Sequence, residues 1–318
     1  MFKAIKDTGP DFEKIILTDT TTGTTAEIIP SCGAILHAFT VLHKGKAINV
    51  IDGYENEADF KANAEAKGFK SHKLSPFACR IKDATYHFNN KAYTIQKFLL
   101  GSSAIHGLLY DAAFTVRQTW ADKESAGVSL HYSYNGTDAG YPFNYDCEVV
   151  YELKAGNALT LTTTISNKDH QAIPMQDGWH PYFSFGGTIN DLELQFNGDT
   201  IAEFDEGLVP TGKFLPYHEF NEFKKIGDQF FDNCFVLQAD GPEPACIIKD
   251  AAQQLQLEIY AEKNYPCLQV YTPPHRNSIA IENLSAIPDA FNNGIGLIIL
   301  QPQSSAQFIT TYKISSLG

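Results

Sequence analysis

Most of the chain carries an apolar–polar alternation of period two, and that pattern narrows the folds open to it. Leu159, Leu161, Thr163 and Ile165 alternate with Thr160, Thr162 and Thr164. The runs Leu192-Glu193-Leu194-Gln195-Phe196, Leu255-Gln256-Leu257-Glu258-Ile259 and Val128-Ser129-Leu130-His131-Tyr132 behave alike. Half-buried strands have this period because successive side chains point to opposite faces of a sheet. Turn dipeptides lie between the runs: Asn89-Asn90 divides residues 84–88 from 92–96, Asn135-Gly136 follows Ser133-Tyr134, and Asn197-Gly198 follows Phe196. Asn and Gly accept the positive φ that tight hairpins need. A helical pattern is confined to residues 58–67, rich in Ala, Glu and Lys and ended by Gly68, with a second short turn expected over residues 221–226. No Pro- or Ser-rich linker, repeat or low-complexity tract interrupts this texture. The expectation is an all-β chain, one large antiparallel β-sandwich with a few short helices, spanning residues 1–318 as a single domain.

Composition constrains the partner. The 22 Phe and 15 Tyr supply a substantial core. The 24 Lys+Arg against 37 Asp+Glu give a net charge of −13, and Arg occurs only as Arg80, Arg117 and Arg276. A nucleic-acid partner wants a basic patch, and none is visible. Scarce Arg also weakens a phosphate-bearing ligand, because guanidinium forks are the usual oxyanion clamps, although a single Lys can serve. Met1-Phe2-Lys3-Ala4-Ile5-Lys6-Asp7 lacks a signal-peptide apolar run, and stretches such as 297–300 are far below a membrane span. A cytoplasmic chain with no membrane partner is expected. Six cysteines without a C-x-x-C pair fit reduced thiols.

The signatures of phosphate-binding loops, dinucleotide folds, serine hydrolases and zincins are missing. Four segments stand out instead. Ser75-Pro76-Phe77-Ala78-Cys79-Arg80-Ile81 delivers Arg80 to the start of the Asn89-Asn90 hairpin, where it could equally be a surface residue. Ala104-Ile105-His106-Gly107 sets His106 on a turn, and Asp177-Gly178-Trp179-His180-Pro181-Tyr182-Phe183 packs His180 into an aromatic run. Either His alone reads as a structural residue. Ile279-Ala280-Ile281-Glu282-Asn283-Leu284 holds a carboxylate in an apolar run, which alone reads as an outward-facing strand residue. Together, one carboxylate and two imidazoles can move a proton between two oxygens of a polyol with no metal, cofactor or covalent intermediate. Asp232, in Phe230-Phe231-Asp232-Asn233-Cys234, could fix sugar hydroxyls or simply cap a turn.

In this combination the chain resembles the aldose 1-epimerase (galactose mutarotase) family, almost end to end. The resemblance runs from Ile29-Pro30-Ser31-Cys32-Gly33-Ala34 through Gly140-Tyr141-Pro142-Phe143 and Gly178-Trp179-His180-Pro181-Tyr182-Phe183 to Pro288-Asp289-Ala290-Phe291-Asn292 and the strand near Tyr312. It implies a galactose mutarotase-like supersandwich with a sugar-binding concave sheet, acting on a small sugar without a cofactor, as a monomer or homodimer. Glu282 then looks like the general base at the anomeric hydroxyl and His180 like the general acid at the ring oxygen. In this reading Glu282 is ionised at neutral pH and His180 spends time protonated. His106 assists, Arg80 and Asp232 bind sugar oxygens, and Gln269 matches a further substrate contact. Cys79 departs from the Asn that many members place before the Arg, which bears on hydroxyl preference. A hexose-6-phosphate 1-epimerase and a non-catalytic sugar-binding protein on the same fold remain the alternatives.

Overall fold

The computed structural model describes residues 1–241 and 243–317. Two large antiparallel sheets dominate it. The first has the order Thr115–Ala121, Ser125–Asn135, Asn144–Lys154, Ala158–Asn167, Ser305–Ser316, Leu255–Ala261, Cys246–Asp250, Glu193–Phe196, Lys224–Lys225. The second runs Pro210–Pro216, Gly198–Phe204, Asp232–Leu237, Cys267–Tyr271, Ile279–Leu284, Gly178–Trp179, Lys73–Leu74, with Tyr182–Phe183 also paired to Ile279–Leu284. A meander of five strands from Phe2–Thr8 to Lys46–Asn49 precedes them. The all-β sandwich expected from the alternation is the fold observed.

The alternation sorts side chains as expected. In Ala158–Asn167 every second residue is buried, including Leu159, Leu161, Thr163 and Ile165. Each large apolar side chain removed from water stabilises the fold by about 1.5–3 kcal/mol. The central strands of the second sheet are covered on both faces. Phe235, Leu268, Val270, Ile279 and Ile281 join the main core, while Cys234, Cys267 and Leu284, offset by odd steps, form a separate cluster with Leu74, Cys79 and Ile287. Asn283 accepts a bond from Thr310 of the first sheet at 2.9 Å, which fixes the face toward that sheet and places Glu282 on the opposite, also covered, face.

Turn chemistry was legible at some positions and not at others. Asn89 and Asn90 both have positive φ and join Thr85–Phe88 to Lys91–Thr94 as a tight hairpin. Gly136 has positive φ, yet the chain from Asn135 runs through a longer loop, bridged at Asp138 and Tyr141, before re-entering the sheet at Asn144. Asn197-Gly198 is not a hairpin: it carries the chain from Glu193–Phe196 in one sheet to Gly198–Phe204 in the other. The helix is Glu57–Asn63, shorter than the pattern over 58–67, with Asn56 capping Asp59 N and the remaining residues in turns up to Gly68 at φ +79°. Over 221–226 a bend leads into the strand pair residues Lys224–Lys225 rather than a helical turn. All six cysteines are buried free thiols. No helix among the described residues is long and apolar enough to cross a membrane.

One polar cluster lies inside this apolar frame. Lys73 and Asp177, both 0% exposed, form an ion pair at 2.6 Å. Lys73 Nζ also donates to Gly178 O at 2.9 Å and sits 4.6 Å from the Trp179 ring centre. Tyr265 donates its hydroxyl to Asp177 Oδ1 at 2.7 Å, and Asp177 N donates to Ser285 Oγ at 2.8 Å. Removing one member of a buried pair strands the other charge. Lys73→Met is therefore expected to lower the unfolding free energy by about 3–5 kcal/mol, read by urea unfolding; an unchanged midpoint would show that the pair does not hold the sheet.

Candidate active site

The second sheet's register assembles the site. Gln269 lies directly opposite Glu282, and Cys234 directly opposite Gln269, so one transverse row crosses three strands. Asp232, two residues before Cys234 on the same face, accepts a bond from Gln269 Nε2 at 3.0 Å. Gly178 pairs with Leu284 and Tyr182 with Ala280, which brackets His180 opposite Glu282. Pro181 cannot donate to a ladder, so the strand breaks there into two short pieces and His180 sits in the gap. His180 Nε2 comes within 3.4 Å of Glu282 Oε1.

Loops supply the rest. His106 has φ +60° and Gly107 φ +80°; a Cβ on Gly107 would lie 2.3 Å from Ser75 O, so glycine is what lets this loop close against residues 75–79. His106 N donates to Cys79 O at 2.9 Å, and the His106 ring meets His180 edge-on at 4.8 Å. Tyr182 stacks on the other side of His180, rings 5.1 Å apart and 9° from parallel. A Cβ on Gly68 would lie 2.3 Å from the Tyr182 hydroxyl, which gives the helix-terminating glycine a second role. Asp289 N donates to Arg80 O at 2.9 Å and its carboxylate accepts from Lys82 N at 3.0 Å and Asn292 at 2.8 Å. The Pro288-Asp289-Ala290-Phe291-Asn292 segment thus clamps the strand that presents Arg80.

Arg80, His106, His180, Asp232, Gln269 and Glu282 all line one cavity of about 490 Å³. The structure brings every site residue expected from the sequence to one place. Glu282 is only 2% exposed, against the outward-facing alternative for an isolated strand carboxylate. Four buried atoms at this floor have no hydrogen-bond partner in the protein: His106 Nδ1, His180 Nδ1, Gln269 Oε1 and Glu282 Oε2. Unpaired buried polar atoms are costly, so the floor carries hydrogen-bonding capacity that the protein itself does not use. Cys79 lines the cavity at φ +53°, a conformation Asn tolerates better than other residues with a side chain. Among the described residues no cluster of three or more His, Cys, Asp or Glu is placed to hold a metal ion. The sequence reading missed Lys73, Asp177 and Tyr182 as supports of His180, although Asp177 and Tyr182 stand in the same seven-residue segment.

Burial corrects the expected charge states. It lowers the His180 pKa to about 4 and raises the Glu282 pKa well above the ordinary carboxylate range, with nearby Asp232 adding to the rise. Burial thus pushes both groups toward their uncharged forms, away from a fixed carboxylate–imidazolium pair. Burial also raises Asp232, opposed by Arg80 and the Gln269 hydrogen bond, and lowers His106.

One face of the second sheet thus gathers a carboxyl in contact with an imidazole, with a second imidazole, an amide, a further carboxyl and a guanidinium around the same cavity. The profile described as aldose 1-epimerase matches residues 14–313. A galactose mutarotase from Homo sapiens is 26% identical over 266 residues, covering 77% of this chain and 73% of the relative. A maltose epimerase from Levilactobacillus brevis is 22% identical with 95% of each chain covered. The crystal structure of a galactose mutarotase-like protein from Clostridium acetobutylicum superposes with a TM-score of 0.84 at 20% identity, covering 99% of this chain and 98% of that one. The chain belongs to the aldose 1-epimerase family, and it is an isomerase.

The direction of the His180 shift sets the pH response. With a pKa lowered from 6.5 to about 4, the imidazole stays neutral through the range where an ordinary His titrates, so kcat/KM is expected to hold level from about pH 7 to about pH 5 and to fall near 4, as a second proton enters the pair. His72, His106 and His180 are all lowered, so each contributes stability that is lost as pH drops below about 6.5, while the raised Glu282, Asp232, Asp177 and Asp289 contribute with the opposite sign. Initial rates on the folded enzyme check the first statement, and a fall in kcat/KM centred near 6.5 would contradict it.

Proposed function

We propose that the protein interconverts the α and β anomers of a free hexose by opening and reclosing the sugar ring. The contact of His180 Nε2 with Glu282 Oε1 at 3.4 Å on the cavity floor carries this reading. Two groups sharing one proton can serve two oxygens of the same anomeric carbon. Glu282 takes the proton of the anomeric hydroxyl while His180 gives one to the ring oxygen, and the bond between anomeric carbon and ring oxygen breaks to leave an aldehyde. The pair enters this step with its proton on His180, the tautomer that sugar hydroxyls and the Arg80 guanidinium favour by hydrogen bonding and charge. Rotation about the adjacent carbon–carbon bond and reclosure with the roles reversed gives the other anomer. The pair ends each cycle with the proton it started with.

The remaining groups take positions around that exchange. His106, edge-on to His180, assists at the ring, and Arg80 holds sugar oxygens. Asp232, tied to Gln269, anchors hydroxyls at the end away from the reacting carbon. An uncharged sugar fits better than a hexose 6-phosphate, because Lys67 and Lys70 at the cavity wall are already bonded to Asp59 and Asp52 at 2.7 and 2.6 Å. A purely binding role would not need a carboxyl and an imidazole in contact.

Optical rotation of freshly dissolved α-D-glucose and α-D-galactose tests the reading. Wild type is expected to speed the approach to equilibrium on at least one sugar, and Glu282→Gln to lose at least about 10²-fold of that rate, the scale of a positioned general base, with its thermal midpoint little changed. Near-complete turnover by Glu282→Gln on an accepted sugar would overturn the role given to Glu282.

A further inference from the structure

One wall of the cavity is sulfur backed by hydrocarbon. Cys79 lines the cavity beside Arg80 and belongs to an apolar cluster with Leu74, Cys234, Cys267, Leu284 and Ile287. Of the cluster's buried members, Cys79 is the one that reaches the cavity. The strand ladder shows where this cluster meets the polar row. Val236, Cys267 and Leu284 pair across the same three strands as Cys234, Gln269 and Glu282, two residues further along, and so share their face of the sheet. The hydrogen-bonding groups of the floor therefore stop at one row, and sulfur and hydrocarbon begin at the next.

A thiol is a weak donor and a weak acceptor. Burial, with the Glu282 and Asp232 carboxyls adding to it, keeps the Cys79 thiol protonated, so it offers no charge either. Arg80, His106, His180, Asp232, Gln269 and Glu282 each present a strong donor or acceptor to the same cavity. A sugar hydroxyl pressed against Cys79 gives up water and gains little in return, whereas a C–H group there leaves nothing unpaired. The stretch between the two carboxyls thus reads the absence of a hydroxyl rather than its presence.

The two edges of a pyranose ring differ. From the anomeric carbon, one edge runs through the ring oxygen to the carbon that bears the hydroxymethyl group, and the other runs through two carbons that each bear a hydroxyl. In the reading given above, on which this inference rests, His180 serves the ring oxygen with His106 edge-on to it, Glu282 serves the anomeric hydroxyl, and Asp232 anchors the far hydroxyls. Cys79 has Glu282 and Asp232 as its acidic neighbours and so flanks the second edge. We propose that Cys79 is a specificity-determining residue that favours a hexose with no hydroxyl at one of the two ring carbons following the anomeric carbon, a 2-deoxy or 3-deoxy sugar. The preference has a ceiling, because an apolar wall rejects an added hydroxyl by no more than about 10²-fold.

The test measures mutarotation of glucose, galactose and the 2-, 3-, 4- and 6-deoxy analogues of each, corrected for the uncatalysed rate of every sugar, in wild type, Cys79→Asn and Cys79→Ser. The positive φ at Cys79 suits Asn, and Ser is nearly isosteric with Cys, so the fold is kept. Wild type is expected to show a higher kcat/KM for a 2-deoxy or 3-deoxy sugar than for its parent, by about tenfold and inside that ceiling. Both variants place a strong hydrogen-bonding group at the same spot. They are expected to bring this ratio to unity or below, while the ratios for the 4-deoxy and 6-deoxy sugars move by less than about twofold. A wild type that turns over a parent hexose as well as or better than both its 2-deoxy and 3-deoxy analogues overturns the role of Cys79 and leaves the mutarotase reading standing. A preference that neither variant moves, or ratios that shift equally at all four positions, also overturns it. Inactivity of wild type on every sugar overturns the mutarotase reading and this inference with it.

Discussion

The buried Lys73–Asp177 pair is the interaction on which the active geometry depends. Asp177 begins the segment that ends in His180, Tyr265 precedes the strand that carries Gln269, and Ser285 follows the strand that carries Glu282. One residue therefore ties together the three pieces of chain that meet at the cavity floor, Tyr265 through its carboxylate and Ser285 through its backbone. Its own cost is high, since both charges leave water, and it is offset only because Gly178 O, Tyr265 and Ser285 complete the bonding around it. An apolar cluster in the same place could pack as well, but it would not specify the relative height of neighbouring strands. In a sheet, a slip of one residue would send Glu282 to the wrong face.

Above that pair, burial does two jobs at once. It strips water from Glu282 and His180, which moves both toward their neutral forms, and it leaves each with a polar atom that no protein group satisfies. A proton shared in such a site moves between fixed groups without solvent rearrangement. The lysines at the wall are neutralised by Asp52 and Asp59, so the chain's overall negative charge says little about the cavity. What faces the ligand is a mixture of hydrogen-bonding groups with little net charge, suited to hydroxyls.

The two ends of the cavity follow different rules. At the floor, residues are positioned by ladder register and by backbone bonds such as Asp289 N to Arg80 O. At its rim, Tyr271 ends the strand that carries Gln269, while Phe230, in the loop before Asp232–Leu237, stays exposed.

Much of this was legible in the sequence because it rests on local energetics. Period two assigned Leu159 to Ile165 to the core side, paired asparagines set the hairpin at 89–90, and Gly68 ended the helix. The resemblance carried by Gly178-Trp179-His180-Pro181-Tyr182-Phe183 and by Glu282 with Pro288-Asp289-Ala290-Phe291-Asn292 pointed to all six residues that line the floor. Asn197-Gly198 failed as a hairpin because its neighbours pair in different sheets, a choice made by distant strands. The partnership of Lys73 with Asp177, the desolvation of the Glu282–His180 pair and the exposure of Phe230 were likewise invisible. Each depends on what surrounds a residue in space rather than in sequence. The sequence by itself determined the strands, the turns with positive φ and the kinds of chemical group available, because those follow from nearest neighbours along the chain. Only the tertiary structure decided which groups are dry, which carry the proton and which remain in water, because desolvation is set by the elements packed on both sides of a sheet.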